Sequence, residues 1–148
     1  MKGRSTAVML LLAAVLHAAG CARAQIQEMS DARRAVSMAR DAGASVSVAA
    51  GFARAATMVE AARRSLDAGD YHAARSDALA GKRLAVSVRA LSLALASLQR
   101  DLAEARERGK RVDSAAAVAR EASEAADRGQ VELAIRLVGK AHGLILAD

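Results

Sequence analysis

The sequence predicts an all-α fold: an elongated antiparallel helical bundle of four to five helices with one long central helix. Its 148 residues include no proline and no tryptophan, and Phe52 and Tyr71 are the only aromatics. Alanine dominates, joined mainly by Leu, Val, Ser, Arg, Asp and Glu, a mixture that favours helix over sheet. Apolar residues also recur at steps of three and four along most of the chain. An alanine-based core gains only about 0.8 kcal/mol per methylene-sized group buried. Such helices must therefore be long and closely approaching, or borrow a partner's surface.

Residues 1–24 read as a signal peptide and 25–148 as one alanine-rich helical domain. Met1-Lys2-Gly3-Arg4 is a basic start, Ala7 to Leu16 an uncharged apolar run, and Ala18-Ala19-Gly20-Cys21-Ala22-Arg23-Ala24 a string of small residues. That order is the signature of export, and the apolar run is too short to span a bilayer. Two cleavage sites compete. Ala18-Ala19-Gly20-Cys21 resembles a bacterial lipoprotein box, in which Cys21 is lipidated and becomes the first residue. Ala22-Arg23-Ala24 fits ordinary cleavage, leaving Gln25 first. Cys21 is the only cysteine and sits where lipidation needs it, which favours the lipoprotein. A single cysteine also excludes an internal disulfide.

The first helix of the domain is expected from near Gln25–Met29 to Asp41, with Met29, Ala32, Val36 and Ala39 on one face. Gly43 ends it, and residues 44–47 read as a short polar connection. The second helix covers Val48 to Ala68, with a stripe of Val48, Phe52, Ala55, Val59, Ala62 and Leu66 at heptad spacing and Gly51 as a soft spot. Gly69 makes a tight turn, and Asp70 is the expected N-cap of the third helix. That helix could run unbroken to Arg108, about 57 Å at the usual rise, with its continuity through Gly81 left open by the sequence. Leu84, Val88, Leu91, Leu95, Leu98, Leu102 and Ala105 form one stripe, and Leu79, Val86 and Leu93 a second. Two apolar sides predict neighbours on both. Glu104 to Arg111, around Gly109, reads as an exposed loop. The fourth helix carries Val112, Ala115, Ala119, Ala122 and Ala126. After a turn at Gly129 the fifth carries Val131, Ala134, Val138, Ala141 and Ile145.

Asp67-Ala68-Gly69 and Asp127-Arg128-Gly129 echo each other, with Ala74 and Ala134 also in register. Helix–Gly–helix followed by Ala is also how a tetratricopeptide unit reads. The 34-residue period and aromatic positions of that repeat are absent, so a duplicated hairpin or shared turn chemistry accounts for the echo better.

Gln27-Glu28-Met29-Ser30-Asp31-Ala32-Arg33, then Ala39-Arg40-Asp41-Ala42-Gly43-Ala44, then Gly69-Asp70-Tyr71-His72-Ala73-Ala74 together resemble a family of short, alanine-rich bacterial envelope lipoproteins carrying a helical domain of unknown function. The resemblance covers roughly residues 26–90. It departs at Ser45 to Ala50, where the family often has a Tyr/Ala-Pro start to its next helix. What it implies is a location and a helical fold, and no catalytic residues. Some members carry an OmpA-like peptidoglycan-binding domain; residues 1–148 contain none, and that activity is not carried over.

Little in the sequence points to catalysis. His72 and His142 are far apart, and no HExxH, CxxC, GxSxG, P-loop or GxGxxG spacing occurs. No metal, cofactor or catalytic residue is therefore expected. The chain has 22 basic and 16 acidic residues; cleavage before Cys21 removes Lys2 and Arg4, leaving 20 against 16. Arg33-Arg34, Arg63-Arg64, Lys82-Arg83 and Lys110-Arg111 could meet lipid phosphates or anionic cell-wall polymers, but they read better as solvated surface balanced by Glu60, Asp77, Glu104 and Glu107. Without clustered charge and stacking aromatics, no nucleic-acid partner is expected. The expectation is a non-catalytic lipoprotein of the outer membrane, facing the periplasm and held by a lipid on Cys21, that binds or scaffolds a protein or cell-wall partner. The alternative is a soluble periplasmic tetratricopeptide-like adaptor, released after Ala24, that binds a peptide or partner helix.

Overall fold

The computed structural model describes residues 27–147. Within them α1 covers residues 27–41. The other elements are α2 (Ala44–Ser47), α3 (Ala49–Asp67), α4 (Tyr71–Glu107), α5 (Asp113–Asp127) and α6 (Val131–Ala147). No strand occurs among the described residues. The all-α bundle with a long central helix is present, and α4 is that helix.

Glycine sets where the helices end. Gly43, Gly69, Gly109 and Gly129 have φ of 79°, 78°, 75° and 71°, a left-handed conformation that costs L-residues bearing a Cβ about 1–2 kcal/mol. Three of these turns close with the same pair of bonds. The Gly69, Gly109 and Gly129 amides donate to Leu66, Arg106 and Ala126, and the amides that follow donate to Ser65, Ala105 and Ala125. This pairing satisfies carbonyls that a helix C-terminus otherwise leaves without a partner. Asp70 caps α4 as expected, its Oδ1 accepting from the Ala73 amide at 3.0 Å. No atom lies within 4 Å of a Cβ built on Gly69, so substitution there meets a conformational penalty and no clash. Gly69→Val should lower stability by about 1–2 kcal/mol in urea denaturation, with Gly69→Ala close behind. Unchanged midpoints for both would show that the turn does not need the left-handed geometry.

Four local expectations are corrected. Residues 44–47 are one helical turn, because the Val46 and Ser47 amides fold back onto the Gly43 carbonyl. The expected loop at Glu104 begins later: α4 continues to Glu107, nothing breaks it before Gly109, and Glu104 pairs with Arg108 one turn on. Gly51 is a packing site and no soft spot. A Cβ there would fall 2.9 Å from Val131 Cγ2, 3.0 Å from Val88 Cγ2 and 3.3 Å from Val48 Cγ1. The second stripe of α4 is also left partly open: Leu79 is half-buried, but Val86 and Leu93 are 55% and 49% exposed.

α4 is unbroken at Gly81. A Cβ there would lie 2.9 Å from Val59 Cγ2, 3.2 Å from Met58 Cβ and 3.3 Å from the Ala55 carbonyl oxygen. Glycine lets α3 approach that closely.

Cross-helix contacts give the directions. Glu28–Arg75, Asp31–Lys82 and Ala42–Ser92 follow the same order along both segments, so α1 runs parallel to α4. α3 returns between them, with Val59 beside Gly81 and Gly51 beside Val88. Beyond the middle of α4, Asp101 meets His142 and Lys110 meets Ile145, so α6 is parallel to α4 and α5 is the antiparallel return. Two up-down-up bundles of three helices thus share α4. The Gly69–Gly129 echo marks the last hairpin of each, α3–α4 and α5–α6, and no pair of helices at a 34-residue period is involved.

The halves differ in substance. The first is held by small side chains, with Met29, Ala32, Val59, Ala62 and Ala78 at its tip and Ala35, Ala55 and Ala85 behind them. The second is built on Leu95, Leu98, Leu102, Val112, Val118 and Val138. Val48, Val88, Leu91 and Val131 continue that core into the waist. There Ser92, 3% exposed, is the one buried polar residue among the described residues. Its hydroxyl donates to the Ala42 carbonyl at 2.6 Å and accepts from Ser47 Oγ at 2.8 Å. This fastens the α1–α2 turn to the middle of α4. Ser92→Ala should cost about 1–2 kcal/mol, read as a lower denaturation midpoint with an unchanged slope. An unchanged midpoint would show that the latch contributes nothing.

Candidate functional site

The open face of the first bundle is a groove between α1 and α4. Asp31, Arg34, Ala35 and Met38 line one wall, and Lys82, Val86 and Arg89 the other. These residues recur at steps of three and four, so each helix offers one stripe. The groove continues past Met38 and Arg89 to Asp41, Ala42 and Leu93. Its floor is apolar and accessible: Met38 is 39% exposed, alongside Val86 and Leu93. α3 covers the other side of the α1–α4 pair, burying Ala55, Val59 and Ala62, and no described element covers this one.

Charge rims the groove. Lys82 Nζ donates to Asp31 Oδ2 at 2.8 Å across it. That bond holds the Asp31 carboxyl below its usual value against a weaker opposing push from desolvation. Its contribution to stability is present at neutral pH and disappears as pH falls through the lowered value. Among the described residues, Arg34 and Arg89 form no ion pair. The first compartment encloses about 260 Å³, below the roughly 300–1,000 Å³ of ordinary small-molecule sites. An elongated trough with an apolar floor and cationic edges suits the side chains of another macromolecule, in the manner of a helix laid in a groove.

The sequence-predicted turn residues are dispersed. Gly69 and Asp70 form the tip of the first bundle, and Gly43 lies at the waist beside the Ser92 latch. Gly129 also lies at the waist, 3.4 Å from Ala50 Cβ when a Cβ is built on it. They shape the fold and do not converge on a site. Cys21 and both cleavage sites lie outside the described residues.

The titratable side chains offer one grouping that the sequence did not reveal. His142 Nε2 lies 2.9 Å from Asp101 Oδ2 and its Nδ1 3.1 Å from the Val138 carbonyl. Ser97 Oγ donates to the same Asp101 oxygen at 3.4 Å. Both ring nitrogens thus face oxygen atoms, and the tautomer decides which of them donates. The carboxylate stands between the hydroxyl and the ring, so the histidine is not placed to take the serine proton, as nucleophilic catalysis requires. The arrangement reads as a tie between α4 and α6. His72 is exposed. No cluster of three potential metal ligands occurs among the described residues, and no described helix is long and apolar enough to cross a membrane.

The groove itself was half legible in the sequence. Leu79, Val86 and Leu93 stand out as a second apolar stripe, whereas Arg34 and Lys82 read only as members of solvated basic pairs and Met38 and Arg89 carry no distinguishing signal. Comparison with known proteins finds no matching family model, no similar curated protein and no similar solved structure.

Proposed function

We propose that this protein is a non-catalytic lipoprotein of the bacterial envelope, held at the outer membrane by a lipid on Cys21, whose helical bundle binds or scaffolds a partner in the periplasm. The observation that carries the binding role is the uncovered trough of Met38, Val86 and Leu93, in a bundle whose other long stripes are buried. The basic start, apolar run and small-residue string of residues 1–24 support export, and the position of Cys21 supports lipidation. The resemblance over residues 26–90 points to the same compartment.

The mass of the mature N-terminus tests the anchor. A diacylated or triacylated cysteine is expected, and Cys21→Ser should move the protein from the membrane to the periplasmic fraction. An unmodified Gln25 would instead support the periplasmic adaptor. The binding role is tested by photocrosslinkers placed at Met38 and Val86 in intact cells. Both should trap the same partner, a crosslinker at exposed Glu121 on α5 should not, and Leu93→Glu should abolish both products. Crosslinks that are indifferent to position or to Leu93→Glu would sink it.

A further inference from the structure

The way α1 begins indicates which end of the bundle meets the membrane. Arg75 Nε donates to both carboxylate oxygens of Glu28, at 3.0 and 3.1 Å. One residue on, Met29 is buried against Val59, Ala62 and Ala78. The start of α1 is thereby locked to the first turn of α4, at the tip that carries Gly69 and Tyr71. From Cys21 to Gln27 the chain advances six residues, and even fully extended that reaches only about 20 Å. α4 is 37 residues long, about 55 Å, so a lipid on Cys21 cannot hold the Gly69 tip farther from the membrane than this tether reaches, and the bundle cannot stand upright on its Gly109 turn.

The tip carries a side chain suited to that position. Tyr71 is the only tyrosine in the chain and is 54% exposed on the first turn of α4. An aromatic ring with a polar end favours the headgroup region, where the ring is shielded and the hydroxyl stays wet. The charges nearby are largely self-compensated: Arg63 pairs with Glu60 and Asp67, and Arg75 with Glu28. The contact therefore requires no anionic lipid.

We infer that the Gly69 tip is the membrane-facing end, with Tyr71 lodged among phospholipid headgroups and the α1–α4 groove held above the bilayer. The inference rests on the lipid-anchor reading and adds an orientation to it. The groove would then begin near Lys82 and Val86, about 16–23 Å along α4 from Tyr71, and open sideways to a partner standing beside the protein.

A chain with no tryptophan allows a direct test. Lipidated Tyr71→Trp protein, purified from membranes, is reconstituted into phosphatidylcholine vesicles containing lipids spin-labelled near the headgroup. A Tyr71→Phe/Arg111→Trp protein carries the probe beside the Gly109 turn. The expected result is strong quenching and a blue shift for Tyr71→Trp, several-fold greater than for the Arg111 probe. Comparable quenching at both positions would mean that the bundle lies flat, and an unquenched Tyr71→Trp probe on vesicle-bound protein that the tip stands free; either overturns the inference while leaving the anchor intact. A mature chain without the lipid mass overturns the anchor and the orientation together.

Discussion

Gly81→Val should separate α3 from α4 and lower stability by about 3 kcal/mol, the upper end of the usual cost of overpacking. The Cβ alone would sit 2.9 Å from Val59 Cγ2 and 3.3 Å from the Ala55 carbonyl oxygen, and a backbone atom cannot rotate aside as a side chain can. Two γ-methyls would add to the crowding. Gly81→Ala is the instructive comparison, because alanine gains about 1 kcal/mol of helix propensity over glycine while adding the Cβ. Its net effect should be much smaller than that of valine. Pairing Gly81→Ala with Val59→Ala removes the nearest clash and should bring the midpoint back towards the parent's. Thermal and urea unfolding of the three variants beside the parent would decide the matter. A Gly81→Val protein as stable as the parent would mean that the helices do not approach this closely.

Leu91→Ala should cost about 2–5 kcal/mol, the range for emptying a fully buried leucine site. Leu91 is 0% exposed and among the largest fully buried side chains. It sits in the core that joins Val48 and Val88 to Val131, so neighbours from both bundles would have to collapse to fill the space. Val86→Ala, about one and a half helical turns away on the exposed side of α4, should change stability by no more than about 0.5 kcal/mol. The contrast separates the two stripes. If the two substitutions prove equally costly, the Val86 side is covered in solution, and the trough is already occupied.

Much of this architecture is local and therefore legible in the sequence. Steps of three and four placed Val88, Leu91, Leu95, Leu98 and Leu102 on one buried face, and Gly69 with Asp70 specified both the end of α3 and the cap of α4. What escaped depends on residues distant in the chain. Periodicity tells which side chains share a face, but not whether a neighbour arrives to cover it, so Val86 and Leu93 were assigned a cover that the described helices do not provide. Propensity marks Gly51 as a weakness, since two of the three valines that crowd it, Val88 and Val131, come from α4 and the start of α6. The Asp101–His142 tie joins α4 to α6 with no spacing to announce it. The groove was hidden for the same reason: Met38 and Arg89 become neighbours only once α1 lies along α4.

The sharing of α4 by both bundles has a kinetic consequence. Opening the first bundle exposes only the leading turns of that helix, and opening the second only its trailing turns. Residues 85–98, flanked by the cores of both, lose their protection only when the two give way together. Amide hydrogens there should exchange with solvent at the rate of global unfolding, whereas those near Tyr71 and Glu107 exchange through smaller openings. Either end can loosen while the other keeps its structure, and the middle of α4 is what isolates one event from the other.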